Sequence, residues 1–193
     1  MKTEIPIENH PLKPFIPKGS RMLMLGSFPP QRKRWSMDFF YPNVQNDMWR
    51  IFGLIFYGEK NFFYDVQAKS FRQALIEDFL REKGIAIFDT AISVRRLKDN
   101  ASDQFLEIVR PTDLKQLLDQ MPMCKAIVTT GKLAAGVVTS QFGVDMIGVG
   151  ASVHVLSTDI NIYRMPSSSR SYPLALEKKA AMYRQMFEQE HLF

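Results

Sequence analysis

Four short apolar runs, each released into a Gly- or Pro-bearing polar loop, constrain this chain more than any other feature. They are "RMLML" (residues 21–25) before "GSFPP", "IAIF" (85–88) before "DTAISVRR", "AIVTT" (126–130) before "GKLAAGVVTSQFG", and "INIYRM" (160–165) before "PSSSRSYP". Runs this short that do not alternate apolar with polar suit strands covered on both faces. Helical patterns fill the spaces between them. "KSFRQALIEDFLREKG" puts Phe71, Leu75, Phe79 and Leu80 on one stripe before a terminating Gly84, and "PTDLKQLLDQM" has Thr112 as a plausible N-cap with Leu114, Leu117 and Leu118 inside. "LALEKKAAMYRQMFEQE" ends the chain with Leu176, Ala180, Tyr183 and Phe187 on one face. Strands alternating with helices predict an α/β fold, a three-layer α/β/α sandwich around a central, mostly parallel four- to five-stranded sheet.

At 193 residues the chain is expected to form one domain, residues 1–193, with residues 1–20 as an extended arm because Pro6, Pro11, Pro14 and Pro17 disfavour regular structure there. "IGVGASVHVLSTDINIYRM" reads as two strands, a hairpin around residues 157–159 that adds an edge to the sheet. No apolar run approaches the roughly 20 residues of a spanning helix, and the first 20 residues lack an apolar signal core. A soluble, cytoplasmic monomer with no membrane partner is the expectation. Cys124 is the single cysteine, which excludes an internal disulfide and a Cys-ligated cluster. His10, His154 and His191 have no ligand spacing, so neither a metal nor any cofactor is expected. A net charge of +5 favours polyanionic partners.

In an open α/β sheet, ligands bind beyond the carboxyl ends of the strands, so the four loops should rim one cleft. Each loop has a bland and a chemical reading. Gly26 in "GSFPP" either serves a turn or lets a ligand approach the backbone. Arg32, Lys33 and Arg34 form a solvated basic turn or, with Arg95, Arg96 and Arg170, a phosphate-contacting rim. Phe39, Phe40 and Tyr41 are core rings or a platform for a base, where stacking contributes roughly 1–3 kcal/mol. Asn46 sits where a helix N-cap would, yet its amide offers a donor and an acceptor together. Asp89 either caps the next helix or acts in the cleft. Ser167, Ser168 and Ser169, beside Arg170, offer hydroxyls and backbone N–H groups to a phosphate backbone. "TTGKLAAG" lacks the spacing of a triphosphate-binding loop.

Taken in order, these loops resemble the uracil-DNA glycosylase superfamily, nearest its mismatch-type and hypoxanthine-DNA glycosylase branches, over residues 21–187. "LGSFPP" resembles the first motif, "FFYPNVQNDMW" the aromatic pair, Asn and Trp of the next, and "GIAIFDTAISVRR" the middle strand ending in Asp. "AIVTTGKLAAGVV" resembles the strand–Gly–Lys–helix segment, and "RMPSSSRSYP" the loop that enters the minor groove. The resemblance implies a monofunctional DNA glycosylase of base excision repair, acting on DNA that holds a damaged or mismatched base such as uracil, hypoxanthine or xanthine. It implies catalysis by Asn46; Ser27, as a donor near the base, and Asp89 or Asp38, to deprotonate water, are the candidates that the residues themselves offer to assist it. Gly26, Phe28, Phe40 and Tyr41 would hold the flipped base. DNA would be gripped by Arg32, Lys33, Arg34, Arg95, Arg96, Ser167, Ser168, Ser169 and Arg170. The first motif lacks the Gln and Asp by which the uracil branch orients water, and Val44 replaces the Pro expected two residues before Asn46. A catalytically weak or inactive nucleic-acid-binding member of the same fold is the alternative; a small-molecule hydrolase on an α/β scaffold is the other.

Overall fold

The four apolar runs become parallel neighbours because each is walled off from water. In the computed structural model, which describes residues 5–98 and 102–193, the elements in chain order are β1 (Ile7–Asn9), β2 (Met22–Gly26), α1 (Met48–Tyr57), β3 (Tyr64–Asp65), β4 (Ser70–Phe71), α2 (Gln73–Lys83), β5 (Ile85–Asp89) and β6 (Ala91–Arg96). They continue with β7 (Leu106–Pro111), α3 (Leu114–Leu118), β8 (Ala126–Thr130), α4 (Lys132–Phe142), β9 (Ala151–Val155), β10 (Ile160–Met165) and α5 (Leu176–Gln189). Residues 1–4 of the expected arm lie outside the described residues. Every residue of β2, β5 and β8 is buried, which is why these strands show no alternation.

The central sheet has the order β5-β2-β8-β10-β9. β2 pairs in parallel with β5 and β8, β8 in parallel with β10, and β9 closes the edge antiparallel, as the hairpin reading predicts. Passing from β2 to β5 moves one way across the sheet and from β8 to β10 the other. Right-handed crossovers therefore put α1 and α2 on one face and α4 on the opposite face. α5 packs on α1, completing the first layer. The expected three-layer α/β/α sandwich is the observed architecture. Its core lies between the sheet and the α1–α2–α5 layer, where Trp49 and Phe52, both at 0% exposure, meet Phe63, Phe79 and Phe187 edge-on.

Two local readings are corrected. "DTAISVRR" is mostly the strand β6, the centre of a second, antiparallel sheet of order β1-β6-β7, so Asp89 at the end of β5 has no helix to cap. Its Thr, Ser and Arg residues hid an interrupted burial pattern in which Val94 is fully enclosed with Ala91 and Leu106 in a small separate core. The N-cap of α3 is Asp113, whose carboxylate accepts the Gln116 N–H at 2.9 Å. Thr112 is diverted, because its hydroxyl donates to the Asp89 carbonyl at 2.7 Å. Among the described residues no helix is long and apolar enough to cross a membrane.

Candidate active site

The carboxyl ends of β2, β5, β8 and β10 open into one cleft of about 860 Å³, lined by Gly26–Pro30, Asp89, Thr130–Lys132 and residues 165–173. A further wall comes from Arg34 and the segment carrying Phe40, Tyr41 and Asn46, and another from residues 102–105. The floor forms where β2 and β5 lie side by side and place Gly26 opposite Asp89. A Cβ on Gly26 would run into the Asp89 carboxylate and come within 3.0 Å of the Tyr41 hydroxyl. Gly26 is thus required for close approach, by a carboxylate of the protein itself. The loop after β2 is stapled to the next, its Gly26 and Ser27 carbonyls accepting the Thr90 and Ala91 N–H groups at 2.9 and 3.2 Å.

Asn46 lies one residue before the N-cap position that the sequence offered for it. Its side-chain oxygen accepts the Met48 N–H at 2.9 Å at the start of α1, although the N-cap position itself is Asp47. The same residue lines the cleft, so Nδ2 is the amide atom it can offer there. Its backbone forms a bridge with Ser169, and the Asp47 N–H donates to the Ser168 carbonyl at 2.8 Å. The loop at residues 166–173 and the start of α1 are therefore one joined edge of the cleft.

Asp47, 7% exposed, anchors that edge: its carboxylate accepts from Arg170 Nε at 2.9 Å and lies 3.7 Å from Arg50 Nη1 and 4.0 Å from Lys179 Nζ. Lys179, its side chain only 1% exposed, donates to the Ser169 carbonyl at 2.7 Å. Burial lowers its pKa against the attraction of Asp47. Ser167, Ser168 and Ser169 all line the cleft, Ser168 buried and the others partly so.

Of the aromatic candidates, Phe28 is half-buried and Phe40 3% exposed, and both line the cleft. Tyr41 holds an uncommon left-handed backbone at φ 50° and shares a 2.8 Å hydrogen bond with the Thr130 hydroxyl. Burial, aided by the Asp89 charge, raises the Tyr41 pKa far above its usual range, so this hydroxyl stays protonated. Phe39 packs edge-on against Phe15 and Phe40 in the core.

The cations divide. Arg34 and Arg170 line the cleft, joined by two that the sequence reading passed over, Lys132 and Arg164. Arg32 does not line it: its guanidinium lies over Trp35 and donates to Asp38 at 2.7 Å. Lys33 is exposed and also outside the lining. Arg95 pairs with Glu107 on the second sheet, and Arg96 is buried against Glu8 and the Pro29 carbonyl, so neither is brought to the cleft. Asp38 is exposed beside Arg32 and likewise absent from the lining.

Two residues with chemistry were missed. Asp103 lines the cleft and accepts from the Ser27 hydroxyl at 2.6 Å. Burial raises its pKa against that hydrogen bond, and the Asp89 charge raises it further. His10 approaches Asp89 from behind, with Nε2 2.9 Å from Oδ2. Among the described residues no group of three or more His, Cys, Asp or Glu side chains could hold a metal ion.

A carboxylate, an amide and aromatic rings drawn from separate loops to the carboxyl edge of a parallel sheet define an α/β protein with a ligand cleft at its strand ends. Among solved structures, the chain is similar to the solution NMR structure of a "putative Uracil DNA glycosylase" from Methanosarcina acetivorans, at 18% identity over 96% of this chain and 98% of that one, with a TM-score of 0.64. The two chains share a fold. No family model and no curated protein matches the sequence.

Proposed function

We propose that this chain is a monofunctional DNA glycosylase that extrudes a deaminated base from the helix and hydrolyses its N-glycosidic bond. The observation that carries the reading is the convergence of Asn46, Asp89, Phe28 and the 167–170 loop on one cleft with cations at its rim. A cleft of about 860 Å³ has room for a flipped nucleotide. Flipping costs a few kcal/mol, least at a mismatched or damaged pair. The likeness in fold to a protein described as a "putative Uracil DNA glycosylase" supports the same reading.

In this proposal Phe28 and Phe40 wall the base, and Asn46 Nδ2 donates to its edge or to the attacking water. Asp89 takes the role of water activation in preference to Asp38, which lies outside the cleft lining. Bond cleavage leaves positive charge on the sugar and negative charge on the base, so an acceptor near the sugar and donors near the base lower the barrier together. Arg34, Lys132 and Arg170 would meet phosphates while residues 167–169 track the strand. The whole chain would form one domain and act as a monomer.

Duplexes carrying uracil, hypoxanthine or xanthine test this directly. Excision of at least one base is expected. Asn46→Ala should lower its rate by about 100-fold or more while duplex affinity changes little. Binding without any alkali-labile product at high protein excess would instead establish the DNA-binding, non-catalytic reading. That second reading is favoured by one observation, the engagement of the Asn46 side-chain oxygen at the start of α1.

A further inference from the structure

His10 belongs to none of the loops that form the cleft, yet it is the described side chain in hydrogen-bonding distance of the Asp89 carboxylate. Its backbone N–H donates to the Ile92 carbonyl at 2.8 Å, continuing the β1–β6 register that pairs Asn9 with Ser93. The ring then turns inward, and its side chain is 3% exposed. It stands edge-on to Phe28 at 5.3 Å, with Phe88 at 4.7 Å and Phe40 at 6.2 Å between centroids. A ring this enclosed does not touch a substrate; it touches a group that does.

Both ring nitrogens are occupied. Nδ1 lies 3.1 Å from the Leu12 nitrogen and 2.9 Å from the Leu12 oxygen, and Nε2 lies 2.9 Å from Asp89 Oδ2. An ionised carboxylate only accepts, so Nε2 carries the hydrogen. The other oxygen, Oδ1, is the atom that fills the space above Gly26. The carboxylate is thus clamped between an imidazole donor on one side and a glycine backbone on the other, with the cleft at its open side. A general base whose geometry is set by a third group is the usual arrangement for activating a nucleophile.

We propose that His10 is a positioning residue that fixes the Asp89 carboxylate for its work in the cleft, which makes the segment around β1 part of the reaction apparatus. The role rests on the proposed glycosylase reading. It predicts a loss in the chemical step rather than in affinity. His10→Ala should lower the single-turnover excision rate about 10–100-fold, the scale known for side chains that orient the ligands of a metal site. The Kd for the same duplex should stay within about twofold. His10→Gln, whose amide can donate to Asp89, should recover a substantial part of the rate.

Unchanged excision in His10→Ala would overturn the proposal, as would a loss carried by Kd or a His10→Gln variant as slow as His10→Ala. The pair is also readable without catalysis. In ¹⁵N spectra of the whole protein, the His10 ring should show a protonated Nε2 whose resonance moves on Asp89→Asn substitution; an unmoved resonance would overturn the pairing. If the wild-type protein excises nothing from the lesion panel, the functional reading fails, while the ring spectrum still decides the His10–Asp89 pair.

Discussion

Asp103 puts a second carboxyl group in the cleft, and its environment favours the neutral form. Burial raises its pKa, and the Ser27 hydrogen bond offsets that only in part. A carboxyl whose folded pKa exceeds its unfolded value of about 3.9 keeps its proton longer in the folded chain. Its stabilising contribution is complete below that unfolded value and is lost as pH rises through the folded one. Asp103→Asn keeps the acceptor for Ser27 and removes the titration. Urea midpoints between acid and neutral pH should therefore fall for the wild type relative to the variant as pH increases, then run parallel; equal midpoints at every pH would refute the raised pKa. Neither Asp103 nor His10 was legible in the sequence. Ser27 and Asp103 are 76 residues apart, and His10 and Asp89 are 79 apart. Contacts that distant leave no periodic trace. Asn46 and Asp89 could be placed at the cleft because Asp89 ends β5 and Asn46 lies just before α1.

Strands were legible where their residues are apolar rather than simply where they are buried, since β10 and β6 share one burial pattern and only β10 reads as a strand. β2, β5 and β8 stood out as unbroken apolar runs, whereas β6, which alternates between a minor core and polar partners, did not. The join between α1, the 166–173 loop and α5 was invisible for another reason: beside its backbone hydrogen bonds it is held by buried charge between residues far apart in the chain. Asp47 sits in the interior with Arg170, Arg50 and Lys179 around it. Removing the one carboxylate leaves three cations facing each other, the circumstance in which a broken buried pair costs about 3–5 kcal/mol. Asp47→Ala should lower the unfolding free energy by about that amount in urea titrations. A loss under about 1 kcal/mol would show the cluster to be solvated like a surface ion pair. Arg170→Ala should be milder, because its side chain is 43% exposed and Asp47 retains two other cations.

At the scale of the whole molecule, the question is which of its cations a duplex would meet. A net charge of +5 favours polyanions in general, so in the proposed reading position decides which cations meet DNA. Arg95, Arg96 and Arg32 are held by carboxylates away from the cleft. Lys132 is different: it comes directly after Gly131, lies at the start of α4 on the cleft wall, and has no ion-pair partner among the described residues. The sequence reading put Arg95 and Arg96 on the phosphate-contacting rim ahead of Lys132, to which it assigned no contact. The fold reverses that order, because β6 carries the pair into a separate sheet while β8 ends at the cleft. A phosphate contact shows itself in the salt dependence of binding, where each contact adds about −0.9 to the slope of log K against log salt. Lys132→Ala should therefore weaken duplex binding and make the slope less negative by about 1, alike for damaged and undamaged duplexes. Arg95→Ala should leave the slope within about 0.3 of wild type on the same scale. The reverse ranking of the two variants would place DNA against the second sheet, and with it would remove the cleft as the seat of the reaction.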